Sequence, residues 1–291
     1  MRDYCIVCEV TADLPKSVVE ELGIQVIPMQ VRLGEQDFTH YYDERELSLD
    51  EFYRRLREGE VAVTSQVNPA NCKEFLEEQL KKGLDVLYIA FTSGLSGTYG
   101  NGKMVAEELI EEYPDNKIYV VDSLCASIGQ GLLVWLAAQE RKKGMSIDDL
   151  LEYVENIKKK CCHWFPVEDL FHLKRGGRIN AVEAAVGTAL KVKPVISINE
   201  EGKLLVVNKV RGDKKAMEYV LQRLTDDGID ASEQTVFVGG ASTENAEKLA
   251  MLAKERGLIK DYILCEIGPI IGAHVGMGMY AMAFVGENYK F

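Results

Sequence analysis

The stretch that decides the fold is Leu87-Tyr88-Ile89-Ala90-Phe91-Thr92-Ser93-Gly94-Leu95-Ser96-Gly97-Thr98-Tyr99. An apolar run of strand-formers stops at Thr92, hydroxyls and glycines follow, and Met104 to Ile110 then reads as a helix. This is strand, tight loop, helix. In open α/β sheets, ligands sit beyond the carboxyl ends of the strands, against helix N-termini whose free N–H groups suit an anion. The loop's hydroxyls fit such a role; Gly, Ser and Thr also make tight turns with no ligand at all.

The pattern repeats on both sides. Tyr4 to Cys8 reads as a first strand, with Asp13 as the predicted N-cap of a helix over 15–22 and Gly23 at its end. Gln25 to Leu33 is a predicted second strand. Thr64-Ser65-Gln66-Val67 is a further hydroxyl-bearing turn, and Asn68-Pro69 opens a helix running to Lys82. Lys117 to Asp122 is a strand and Ile128 to Arg141 a long apolar helix. Strands alternating with helices predict a parallel sheet flanked by helices over residues 1–158.

Beyond Gly144 the pattern changes. A strand at Cys161 to Phe165, a basic turn at Lys174 to Arg178, a helix at Ala181 to Leu190 and a hairpin over 193–210 are expected. Strand–helix alternation follows. This predicts a second α/β domain with a mixed sheet over 159–291. Gly268 to Gly278 reads as a glycine-rich loop carrying His274, equally suited to a ligand contact or to a turn.

Composition narrows the function. A chain of 291 residues, 47% hydrophobic and 27% charged, has room for two globular domains. The net charge of −12 argues against nucleic-acid binding. Between Lys174 and Lys215, however, ten basic residues meet four acidic ones, which predicts a basic patch on an acidic body. The seven cysteines follow no metal spacing. No basic leader with an apolar run opens the chain, so a cytoplasmic protein with reduced thiols is expected. The phosphate-binding P-loop pattern is absent, Ser96 misses the G-x-S-x-G elbow by one position, and no paired metal motif exists. A small-molecule hydrolase or transferase using Ser93 or Ser96 with His274 as base stays open, as does a lipid-gated interaction protein.

Six separated motifs give the chain a resemblance to a known family. They are Thr64-Ser65-Gln66, Ser93 to Tyr99, Asp122-Ser123 with Gly129-Gln130-Gly131, Leu173 to Ile179, Lys191-Val192-Lys193-Pro194, and Glu266-Ile267-Gly268-Pro269 with His274-Val275-Gly276. In this order they resemble the DegV family, the fatty-acid-binding subunits of the bacterial fatty acid kinase system. The resemblance implies one long-chain fatty acid buried at the interface of the two domains, no other cofactor and no metal. It implies a carboxylate held by Thr64, Ser65, Ser93, Gly94, Thr98 and His274. It also implies a separate kinase subunit that phosphorylates that carboxylate, docking near Arg178 and Arg211, and peripheral membrane contact during lipid exchange. Glu9-Val10 stands where the family usually has Asp-Ser, and Met277 where proline is common.

Overall fold

The computed structural model describes residues 2–179, 192–227 and 231–287. Strands β1 (Tyr4–Glu9), β2 (Gln25–Ile27), β3 (Met29–Leu33), β4 (Gln36–His40), β5 (Ala62–Thr64), β6 (Asp85–Ala90) and β7 (Ile118–Asp122) occupy the first half. Helices α1 (Lys16–Leu22), α2 (Leu49–Arg57), α3 (Pro69–Lys81), α4 (Thr98–Glu112), α5 (Ile128–Lys142) and α6 (Ile147–Ile157) accompany them. Four strands pair in parallel in the order β2-β1-β6-β7. The order reverses direction between β1 and β6, and the loops leaving those strands point to the same edge.

The second half holds β8 (Cys161–Pro166), α7 (Phe171–Arg175), β9 (Val192–Ile198), β10 (Leu204–Arg211), α8 (Asp213–Asp227), β11 (Thr235–Gly240), α9 (Thr243–Glu255), β12 (Asp261–Glu266), α10 (Pro269–Val275) and β13 (Tyr280–Val285). Its six strands run β10-β9-β8-β13-β11-β12, antiparallel except for the β11–β12 pair. The mixed sheet expected from sequence is therefore present. The helix expected over Ala181 to Leu190 lies outside the described residues.

Three local expectations are corrected. The predicted strand from Gln25 to Leu33 is two strands in different sheets, because Pro28 between them has no N–H to continue a ladder. The second piece, β3, joins β4 and β5 in a small antiparallel sheet. Asp13 does not cap α1: Pro15 holds that position, while Asp13 is buried with φ +47 after a short 3₁₀ turn. Gly268 to Gly278 is not a loop throughout, since α10 fills its centre. Asn68 does cap α3, accepting from the Ala70 N–H at 2.8 Å.

Helix α5 lies between the two large sheets, packed against β1 and β6 on one side and β8, β11 and β13 on the other. Its residues Leu132, Leu133, Val134, Ala137 and Ala138 are buried in a core that spans both sheets. That setting explains why this helix reads as apolar nearly all round.

Glu9, at the end of β1, is wholly buried. Its carboxyl accepts from the Tyr88 hydroxyl, from the Phe91 N–H at 3.1 Å and from Gln130 Nε2 at 2.6 Å, tying β1, β6 and α5 together. Burial pushes this carboxyl above its usual range, against the pull of those hydrogen bonds. Glu9→Leu is expected to cost about 2–4 kcal/mol, because three buried donors lose their acceptor. Since the folded chain holds the Glu9 proton more tightly than the unfolded chain, this contribution weakens as pH rises above about 4.5. Urea unfolding of both proteins across pH checks this; a cost below about 1 kcal/mol, or a gap that widens with pH, contradicts it.

Candidate functional site

A cavity of about 820 Å³, counted to its open mouth, lies where the two halves meet. The loops after β1, β6 and β7 line it with Thr11, Phe91, Leu95, Ser96, Ala126 and Ser127, and Ile128 opens α5 beside them. The mixed sheet supplies Phe165, Ile198, Leu204 and Ala281, and α10 supplies Ile270, Ile271, His274 and Val275. The edge predicted from strand–helix alternation is thus one wall of the cavity.

Polar groups free to meet a ligand are gathered at one end. The turn after β5 brings Thr64, whose Oγ1 lies 2.8 Å from His274 Nε2, along with the exposed Ser65 and Gln66. His274 is carried on α10, and its Nδ1 has no partner among the described residues. Gly176 allows this arrangement: a Cβ there would sit 2.2 Å from His274 Nδ1. Arg178, half-buried, donates from Nε to the Leu95 carbonyl at 3.2 Å, which ties its guanidinium to the residue beside Ser96. No carboxylate pairs with Arg178 among the described residues. Ser96 Oγ accepts from the Thr98 N–H at 3.2 Å and lies 3.0 Å from Thr98 Oγ1. If Thr98 donates there, the Ser96 hydroxyl hydrogen is left for a ligand oxygen.

Two other hydroxyls in the lining are already committed. Thr11 donates to Gln130 Oε1 at 3.0 Å and Ser127 to Asp13 Oδ2 at 2.6 Å. Apart from the buried His163 ring of β8, the remaining wall is aliphatic and aromatic. The cavity therefore has an apolar body and one cationic, hydrogen-bonding end.

The residues singled out in the sequence separate on this geometry. Thr64, Ser65, His274 and Arg178 line the cavity together. Thr98 stands behind them, buried, and its Oγ1 accepts from the Val67 N–H at 3.2 Å, anchoring the Thr64–Val67 turn on α4. Ser93 and Gly94 lie outside the lining. Ser93 is exposed, and its N–H donates to Asp122 Oδ1 at 3.1 Å. Gly94 sits against the hairpin turn between β9 and β10, where a Cβ would come within 2.6 Å of the Glu201 and Gly202 carbonyl oxygens. Arg211 is exposed at the end of β10 and away from the lining. Nor is the basic segment uniformly a surface patch: Lys193 is buried between Glu168 and Asp213, 2.6 Å from each. Val10, where the usual hydroxyl is missing, faces away from this cavity. Gln66 and Ser127 were not foreseen; Ser127 has an unusual φ of +52, a signal visible only in the fold.

Burial, with the Arg178 and Arg175 charges behind it, pushes His274 down to about 4, so the imidazole is neutral near pH 7. Among the described residues no group of His, Cys, Asp and Glu is arranged to hold a metal ion. Neither Ser93 nor Ser96 is paired with His274 among the described residues: His274 Nε2 meets the Thr64 hydroxyl, and Ser96 meets Thr98. No helix among the described residues is long and apolar enough to cross a membrane.

The family model described as "Uncharacterised protein, DegV family" matches residues 4–287. The chain belongs to the DegV family. A DegV domain-containing protein of Clostridium perfringens is 42% identical over 291 residues, covering 99% of both chains. Among solved structures, a DegV lipid-binding protein from Thermotoga maritima superposes with a TM-score of 0.85 at 29% identity, covering 99% of this chain and 100% of that one. A DegV family protein from Thermus thermophilus, described for its fatty acid binding, gives 0.85 at 28% identity, covering 98% and 100%. These DegV relatives share the whole two-sheet architecture.

The His274 environment is directly measurable. By NMR titration of the imidazole carbons, His274 and the buried His40, which burial also lowers to about 4, should both titrate near pH 4. A midpoint near 6.5 for His274 would place it in solvent and contradict the geometry.

Proposed function

We propose that the chain binds one long-chain fatty acid, with its tail in the apolar cavity and its carboxylate at Thr64, Ser96, Arg178 and His274. It then presents that carboxylate to a partner kinase for phosphorylation to an acyl phosphate. The observation that carries the reading is the segregation of the lining. Thr64, Ser96, Arg178 and His274 gather at one end, and the rest of the lining is mostly hydrocarbon, with the His163 ring of β8 and the committed hydroxyls of Thr11 and Ser127 set into it. Burying an alkyl chain contributes about 0.8 kcal/mol per methylene, so the tail supplies affinity. A carboxylate removed from water is costly unless several donors meet it, and the Arg178 guanidinium, the Ser96 hydroxyl and the one remaining polar hydrogen of the Thr64–His274 pair offer them.

The polar end is also the end nearest solvent. Ser65 and Gln66 are exposed, and Lys174 and Arg175 stand outside Arg178. A carboxylate held there is within reach of a second protein, while the tail is not. In this scheme the phosphoryl donor is bound by the partner, and the role of this chain is to hold and orient the acid. DegV relatives described as lipid- or fatty acid-binding support the ligand class. The hydrolase reading gains nothing from the geometry, because neither Ser93 nor Ser96 is paired with His274.

Native mass spectrometry of the purified protein, followed by organic extraction, should find a single stoichiometric fatty acid. After delipidation, Thr64→Val and Ser96→Ala should each weaken binding of palmitate about tenfold, one good hydrogen bond to a charged group. Ser93→Ala should leave it unchanged. An empty protein that fails to take up any long-chain acid would overturn the ligand assignment. ATP consumption should appear only when a compatible fatty acid kinase subunit is added to the loaded protein. Lipid binding with no ATP consumption would instead favour an interaction protein gated by lipid.

A further inference from the structure

Asp13 is a buried carboxyl that the binding scheme does not use. It sits between the two elements that frame the cavity. Its Oδ2 accepts from the Ser127 hydroxyl at 2.6 Å, and its Oδ1 accepts from the Gly268 N–H at 2.9 Å. Ser127 lines the cavity and opens α5. Gly268 is the cap of α10, the helix that carries Ile270, Ile271, His274 and Val275 into the same cavity. One side chain thus bridges residues far apart in the chain, Ser127 in the cavity wall and Gly268 at the start of the helix that supplies part of that wall.

Ser127 has φ +52 and ψ −135, a conformation costly for a residue with a side chain. A strained turn persists only where its surroundings over-determine it, and the bond to Asp13 is its one side-chain restraint among the described residues. On the other arm, α10 is short, and its start is fixed by the Asp13 bond together with the Tyr53 hydroxyl on the Ile267 carbonyl at 2.7 Å. Around Asp13 stand His40 from β4, Tyr53 from α2 and Cys265 from β12, and Lys16, Glu44 and Glu266 line the same recess. No charge among them offsets burial, which pushes the Asp13 carboxyl up to about 8 against its hydrogen bonds to Ser127 and Gly268. Protonated near neutral pH, it can donate from Oδ2 to Ser127 Oγ instead of accepting there, while Oδ1 still accepts from Gly268, an arrangement that an amide reproduces.

We propose that Asp13 is a positioning residue that sets the helix bearing His274 against the Ser127 turn, and so fixes the geometry of the acid-binding end of the cavity. This rests on the fatty-acid reading only for its effect on ligand affinity; the placement of His274 is tested without a ligand.

The experiment compares Asp13→Ala and Asp13→Asn with the wild type by two readouts. In the ligand-free protein, the His274 midpoint should move upward from about 4 by about one pH unit in Asp13→Ala and stay in place in Asp13→Asn. In the delipidated protein, Asp13→Ala should weaken palmitate about tenfold but palmityl alcohol by no more than about threefold, with Asp13→Asn near wild type for both. A purely structural role would weaken acid and alcohol alike. Should Asp13→Ala not fold, Ser127→Ala cuts one arm and should show the same signature, because Asp13 joins Ser127 to the start of the helix that carries His274. A folded variant with His274 still near 4 and an unchanged acid-to-alcohol ratio overturns the proposal. If the wild type binds neither ligand, the fatty-acid reading fails and the His274 midpoint alone decides the role of Asp13.

Discussion

The architecture of the site depends on where α10 goes. The helix leaves β12, a strand of the six-stranded sheet, yet it packs against β3, β5 and the 3₁₀ turn after β1, all from the other half of the chain. That crossing places His274 2.8 Å from Thr64, a contact between residues 210 positions apart. The floor of the cavity is α5, wedged between both sheets. Without the crossing helix the space between the sheets would open to solvent on one side, and the polar end would lose its imidazole.

The distribution of hydrogen bonds gives the cavity its polarity. Buried polar groups must be satisfied, and most of those near the cavity are satisfied by the protein itself: Glu9 by Tyr88, Phe91 and Gln130, Thr11 by Gln130, Ser127 by Asp13. Such groups do not call for a ligand. The exceptions are the half-buried Arg178, whose charge no described carboxylate meets, and the open Nδ1 of His274. Burial keeps that imidazole neutral in the free protein. An anion brought alongside would favour its protonated form, so the site gains positive character when an acid arrives.

Much of the fold was legible in the sequence where periodicity and punctuation agree. The strand–loop–helix around Leu87 to Tyr99, the Asn68-Pro69 cap, the hairpin over 193–210 and the long helix from Ile128 all lie as their residues imply. What was not legible is tertiary. The glycines at 268, 272 and 276 suggested a loop around His274. In the fold, Gly268 and Gly276 bracket a short helix, and Gly272 lets it close on Phe52 and Tyr53. Ser93 and Ser96 look equivalent in sequence, and only the docking of the β9–β10 turn onto Gly94 separates them. Glu9-Val10 in place of Asp-Ser read as the loss of a hydroxyl near the head group, yet Glu9 has a structural role of its own. It is the acceptor that joins β1 to β6 and α5, and Val10 faces another part of the molecule.

The central claim is that one end of the cavity receives a carboxylate. A crystal structure of the protein loaded with a single long-chain fatty acid tests it most directly. The account predicts carboxylate oxygens within hydrogen-bond distance of Thr64 Oγ1 and the His274 ring, with the alkyl chain running along Phe165, Ile198 and Leu204. A carboxylate at the Ser93–Gly94 turn, or a tail pointing out past Thr64, would contradict it.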